Sequence, residues 1–351
     1  MLFAFCYLLS ALRCYAGSGT EGAAFLDIPV GAGPAAMGSA YSALANDAYA
    51  PVYNPAGLGF LPNTQIAAQH LSYLDSMDYE FLSFVHPVGT GKAFGLSAQY
   101  LGTGGIAGTD TSGTPNGNYS DHYGAYSLVY GQKITDRLSL GLTGKLINAQ
   151  LANVSANAYA ADIGSLYKAA DNLNLALTAT NLGTKLTLTS QGDTLPEAVH
   201  LAAAYQPEKH LKLAAEGVYS QTGLVSARVG MEWSPMEMIS IRTGYRTDTT
   251  QDLSAMAGLT VGLGLKAWGQ EFAYAWLPYG DLGDTQYFSL LLKFGGTGEE
   301  RKNLIQYQTI KTYRWAKSDK AEDPEFQPLI QLLNDEPDRN ALASQAILGE
   351  R

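Results

Sequence analysis

The chain has 351 residues, 46% hydrophobic and only 15% charged, with 38 glycines, 22 tyrosines and a formal net charge of -10. Charged residues are well below the roughly 25% of a typical soluble protein, yet mean hydropathy is only -0.06, so apolar and small polar residues alternate instead of clustering. The acidic balance argues against nucleic acid as a partner, because a phosphate backbone asks for basic patches.

Residues 1–16 read as a signal peptide. The apolar run from Leu2 to Leu12 has h-region length, and Cys14-Tyr15-Ala16-Gly17 offers a small-residue cleavage site after Ala16, although the usual basic n-region is missing. Both cysteines, Cys6 and Cys14, fall in this segment, so a mature chain would carry no disulfide and no cysteine-based metal or redox site. No later stretch reaches the roughly eighteen apolar residues of a membrane helix, so any crossing has to be made by strands.

Residues 17–63 do not alternate. Pro34 is placed to open a short helix with Ala35, Ala36, Met37, Ala40, Ala43 and Leu44 as its apolar stripe and Asn46-Asp47 as its end. Tyr53-Asn54-Pro55-Ala56-Gly57-Leu58 then reads as a tight polar turn. A stretch this long and this ordered is too much for a tail. It suits a plug folded inside a lumen, where Asn54 would bond barrel side chains.

Residues 64–294 break into segments of about ten residues with period two. Leu173, Leu175, Leu177 and Ala179 fall on one face, and Asn174, Ala176, Thr178 and Thr180 on the other. Strands are expected near 64–73, 79–86, 93–101, 122–132, 138–151, 157–168, 172–182, 197–206, 210–219, 224–233, 238–246, 252–261, 264–276 and 285–294. The connections 87–92, 133–137, 169–171, 207–209, 234–237 and 262–263 are short, whereas the other set holds the long ones, 102–121, 183–196 and 277–284. That asymmetry predicts an all-β fold, a transmembrane antiparallel β-barrel of about 14 strands with its long loops outside the cell. An even strand number puts both termini on the periplasmic side. Tyr73, Tyr100, Tyr167, Tyr205, Tyr219, Trp233, Tyr245, Trp276 and Tyr279 lie near strand ends, where aromatic girdles are expected.

From 295 to 351 the composition turns charged after a Gly295-Gly296-Thr297-Gly298 hinge, with short helices expected at 326–334 and 338–348. This periplasmic extension reads either as a solvated tail or as a docking arm for a periplasmic partner or peptidoglycan.

The histidines, His70, His86, His122, His200 and His210, are not spaced as a zinc pair, and neither HExxH nor GxSxG occurs. No catalytic residue, metal or cofactor is expected. The informative polar feature is a charged stripe. Lys212 and Glu216, Arg228 and Glu232, and Arg242 and Arg246 all fall on the inward face of three neighbouring segments. They read either as cross-links of a filled interior or as a site for an anionic head group, such as a fatty-acid carboxylate meeting Arg242 or Arg246.

Residues 25–58, FLDIPVGAGPAAMGSAYSALANDAYAPVYNPAGL, strongly resemble the amino-terminal signature of the PorV/PorQ family, part of the FadL-like group of outer-membrane barrels. Asn54, Pro55 and Ala56 match the Asn-Pro-Ala of FadL-type hatch segments. Family members commonly carry an arginine shortly after the first Gly-Ala; Gly33 stands there, so no role of that arginine carries over. The resemblance implies a bacterial outer-membrane location, with lipid around the barrel, and three roles. One is transport of a hydrophobic ligand such as a fatty acid past the plug. Another is a type IX secretion adaptor that receives the carboxy-terminal signal domains of secreted cargo. The third is a structural or anchoring platform.

Overall fold

The structure, a computed structural model, describes residues 21–74, 77–250 and 254–295. The expected signal peptide and the extension beyond Gly295 lie outside them. Sixteen strands follow one another. They are β1 (Thr64–Ser72), β2 (Met77–Gly89), β3 (Lys92–Thr103), β4 (Ile106–Thr109), β5 (Pro115–Tyr119), β6 (Asp121–Lys133), β7 (Leu138–Leu151) and β8 (Val154–Ala170). Then come β9 (Leu173–Gly183), β10 (Ala198–Glu208), β11 (Leu211–Ser220), β12 (Val225–Met236), β13 (Ile239–Arg246), β14 (Leu259–Ala267), β15 (Gln270–Pro278) and β16 (Asp284–Phe294).

Fourteen of them form one closed antiparallel barrel, and β4 and β5 make a separate hairpin in the long loop between β3 and β6. Closure is made by β1 and β16, registered from Thr64 with Phe294 to Ser72 with Gln286. With both edges joined, every wall strand has a neighbour on each side, the condition for putting a sheet in hydrocarbon.

Alternation sorts the side chains. Leu82, Leu128, Leu142, Leu201 and Leu263 are all more than half exposed on the outside, while their neighbours Ser83, Ser127, Val129, Thr143 and Ala202 are buried. In water each such leucine would forgo about 25 cal/mol per Å² of apolar area, so this outward belt is matched to lipid. Tyr100, Tyr167, Tyr205, Tyr219 and Trp233 also face outward. Tyr73 and Tyr279 instead pack edge-to-face on each other, centroids 6.1 Å apart, against the inner apolar cluster.

The connections at one end, 90–91, 134–137, 171–172, 209–210, 237–238 and 268–269, are short; the long 104–120 and 184–197 lie at the other, where the loop expected at 277–284 is cut to 279–283 because β15 and β16 run further than the alternation suggests. Two expected strands are displaced. The sequence reading put them at 252–261 and 264–276 with a turn at 262–263; the chain instead forms a 3-10 turn at Ala255–Gly258, then β14, and reverses at Trp268-Gly269. Both turn residues have positive φ, 52° and 78°, as in a two-residue primed hairpin. Gly262 resembled a turn glycine for another reason: a Cβ there would sit 2.5 Å from the Ala36 Cβ of the segment packed inside.

Residues 21–63 run through the interior. Glu21 bridges Thr194 in the loop at the long-loop end, and the chain descends past the wall to Gly59, which abuts Gln132 and Lys133 near the short-turn end, before β1 begins. The even strand number therefore fixes where β1 starts and β16 ends, not the course of the residues before β1. The expected helix from Pro34 to Leu44 is not formed. α1 (Ala32–Ala36) is five residues long, and Gly38 and Ser39 turn the chain with φ of 62° and 60°. The short α2 (Ala50–Tyr53) and a 3-10 helix at Pro55–Phe60 complete the segment.

Candidate functional site: a lumen with two unlike walls

The segment meets two different surfaces. On the side of β1–β3, β6–β8, β15 and β16, the wall offers Leu71, Tyr79, Phe81, Ile147, Leu277 and Tyr287, all buried. Phe25, Leu26, Ile28, Val30, Tyr49 and Tyr53 of the segment join them in one apolar cluster, which also takes in Leu186 and Leu195 from the loop at the long-loop end. Phe25 lies 5.6 Å from Tyr123, and Tyr49 stacks at 6.1 Å on Phe81. These contacts are non-directional, so their loss on a small shift can be made good by any apolar surface.

The opposite wall, β10–β14, is ionic. All six residues of the charged stripe face inward, but they belong to three groups instead of one. Near the short turns, Glu232 accepts from Lys212 Nζ at 2.8 Å and from Arg242 Nε at 2.7 Å, and Arg242 Nη2 reaches Glu271 at 2.6 Å. Near the long loops, Arg228 and Arg246 are cross-strand partners of like charge. Asp248 makes that pairing tolerable, taking Arg228 Nη2 at 2.9 Å and both Arg246 Nε and Nη2, at 2.6 and 2.8 Å. Burial alone would raise the Asp248 carboxyl, but the two guanidiniums outweigh it and hold it far below the usual range. Between these groups, Glu216 binds His200 Nδ1 at 2.8 Å and accepts the Ser42 backbone N–H of the segment at 3.0 Å.

Polar pegs fix the segment along its length. Ala32 N–H donates to Ser289 Oγ at 3.1 Å, and Gly31 N–H to Gln69 Oε1. Thr260 Oγ1 donates to Ala36 O at 2.8 Å, and Ser139 Oγ to Ala56 O at 2.6 Å. Asn54 is fully buried: its Nδ2 donates to Ser42 O at 3.0 Å and Ser165 O at 3.1 Å, and its Oδ1 accepts Ala56 N–H at 3.0 Å. Its wall partner is therefore a main-chain carbonyl of β8, where the sequence suggested side chains. Pro55 opens the following 3-10 helix, where a missing N–H costs nothing, and Ala56 supplies both the capped N–H and the carbonyl for Ser139.

Sequence reasoning missed Asp248, Glu271 and His200. Asp248 fell in a presumed loop, and Glu271 in the misplaced β15. His200 alternates correctly with Ala202 and Ala204 in β10, a pattern that put it on the inner face beside Glu216. Asp27 was also unmarked. It borders a small recess of about 60 Å³ lined by Tyr53, His200 and Arg228, and part of its side chain stays exposed there. Enclosure, reinforced by Glu21, pushes its carboxyl up to about 6 against the opposing pull of Arg228 and Arg246.

No family model matches the chain, and no curated protein matches it by sequence. Solved structures do share its fold. The Pseudomonas putida toluene transporter TodX superposes with a TM-score of 0.50 at 14% identity, over 75% of this chain and 96% of that one. CymD, a monoaromatic hydrocarbon channel, gives 0.53 at 12% identity, over 77% and 98%. At these identities the shared property is the barrel itself.

Proposed function

We propose that the chain is a bacterial outer-membrane channel for small hydrophobic molecules, with residues 21–63 as its plug. The observation that carries this reading is the continuous apolar wall from the long-loop opening down to Tyr49 and Phe81, covered by Phe25–Val30. A hydrophobic molecule displacing that strip would replace one set of apolar contacts with another, at little cost beyond local ordering. The lipid-matched exterior and the fold shared with hydrocarbon channels support it. On this reading the long loops face outward and the short turns face the periplasm, as does the end of β16. The stretch 25–58 supports a finer placement in the PorV/PorQ group, with Asn54, Pro55 and Ala56 as the hatch motif.

The test is uptake of labelled toluene and of a labelled medium-chain fatty acid by cells lacking their own hydrocarbon and fatty-acid channels. Uptake that depends on the expressed chain is expected. No gain over empty cells, with secreted cargo or periplasmic subunits co-purifying in stoichiometric amount, would replace this reading with the adaptor or anchoring role.

A further inference from the structure

The charged group near the short turns does more than cross-link the wall, because it borders a cavity of about 330 Å³ between the segment and the wall from β9 round to β1. Four cations line it, Lys212, Arg242, Lys266 and Lys293. Two fully committed carboxylates face them, Glu232 and Glu271. A third, Asp47, is buried under Tyr41, whose hydroxyl donates to it at 2.6 Å, and burial raises its pKa toward the neutral form. The lining therefore carries an excess of positive charge. Two of its donors are unspent. Arg242 is 5% exposed and its Nη1 has no hydrogen-bond partner among the described residues, while Nε and Nη2 are both taken. Lys293 Nζ makes no ion pair among the described residues, whereas Lys212 and Lys266 each have a carboxylate within 4.0 Å.

A buried guanidinium with an idle N–H is costly unless something accepts from it. Gly33 keeps that N–H uncovered, since a Cβ there would come within 3.2 Å of Nη1. The uncharged lining divides between polar residues, such as Asn46, Asn174 and Gln206, and apolar ones, such as Met37, Leu44 and Leu291. Tyr49, Ala273 and Leu291 of the large apolar cluster touch this cavity only at its margin of charged side chains, so an alkyl tail would have to lie against Lys, Arg and Glu groups to reach them. Lys212 and Lys266 keep about a third of their side chains exposed, 38% and 31%, which marks the short-turn end as the way in.

We propose that this cavity binds a compact hydrophilic oxyanion, a carboxylate or phosphate without an apolar tail, held by Arg242 Nη1 and Lys293 and reached from the short-turn end. It is a site distinct from the apolar path, and it stands whether or not that path conducts hydrocarbon.

The experiment is isothermal titration of the purified full chain in detergent at neutral pH and low salt, with succinate, inorganic phosphate and, as the tailed comparator, octanoate. Saturable binding of succinate or phosphate is expected, weakened about tenfold or more by Lys293→Gln and by Arg242→Lys, and by added salt. Lys293→Gln leaves the Glu232–Arg242–Glu271 group intact, so it reports on the site even if Arg242→Lys fails to fold. Toluene uptake by Lys293→Gln is expected to equal that of the unmodified chain, which keeps this test separate from that of the channel. Absence of saturable binding by both anions overturns the proposal, as does binding that Lys293→Gln leaves unchanged. So does tighter binding of octanoate than of succinate, which would make the cavity a head-group site for an amphiphile.

Discussion

The two walls of the lumen bury the same segment by opposite means. Along β1–β3 and β6–β8 its upper part, Phe25–Val30 with Tyr49 and Tyr53, lies mainly against rings and aliphatic chains, with directional bonds at single points such as Gln69, Ser139 and the Ser165 carbonyl. Along β10–β14 the wall is cross-linked by guanidiniums and carboxylates whose every bond has a direction, and one of those carboxylates, Glu216, also holds the segment at the Ser42 N–H. An apolar face tolerates sliding and substitution by another apolar body; an ionic one tolerates neither, because a displaced charge in a confined site loses its partner and its solvent together. On the proposed channel reading, the segment would yield along the apolar strip Phe25–Val30 while Glu216 and Thr260 keep it pinned to the other side.

Breaking the ionic wall should have the largest effect. Arg242→Ala leaves Glu232 with Lys212 alone and Glu271 with only Lys266 at 4.0 Å, and a destabilisation of about 3 kcal/mol is expected, the lower end of the range for removing one partner of a buried pair. Urea or thermal unfolding in detergent measures it; a loss under about 1 kcal/mol would mean water already solvates that wall. On the apolar wall, Phe25→Ala removes a ring that packs on Tyr123, at a cost of about 2–4 kcal/mol where the cavity does not collapse. It should also raise toluene uptake, and reduced uptake would place the passage elsewhere. Asn54→Ala deletes three hydrogen bonds around the turn before Pro55, with an expected loss of about 1–3 kcal/mol and faster hydrogen exchange confined to residues near 42 and 56.

The smallest effect is electrostatic. Asp27 has a folded pKa of about 6, above its ordinary value of 3.8. Its protonated form is thus favoured by folding, so its contribution is fully present below about pH 4 and is lost as pH rises through 6. Asp27→Asn should flatten the stability profile between those pH values, by less than about 1 kcal/mol given the exposure of its side chain. A profile unchanged in the variant would assign the pH dependence to other groups.

Much of this was legible in the residues. Period two with turn punctuation gives strands, because half of each strand must face lipid and half the lumen; even the uneven loop lengths survive in the structure. The displaced β14 and β15 show where the pattern misleads. Gly262 and Gly264 look like a turn, but they are inward positions cut back to admit Ala36 of the segment, more than two hundred positions away, and the Arg242 guanidinium of the neighbouring strand. The charged stripe was visible as alternation, whereas its division into three groups was not. Asp248 and Glu271, which impose that division, lie outside the three strands that displayed it. The segment's path was the least legible part, since its pegs bind main-chain atoms and carry no side-chain signature.

The most direct test of the yielding plug is to tie it to the wall. Ala32 N–H lies 3.1 Å from Ser289 Oγ, so Ala32→Cys with Ser289→Cys puts two thiols on touching stretches of the segment and β16, and loss of free thiol on oxidation checks that the cross-link has closed. Toluene uptake by cells carrying the oxidised double variant should fall to the level of empty cells and return on reduction. Undiminished uptake with the cross-link formed would contradict the account, because the hydrocarbon would then be crossing without the segment moving from its wall.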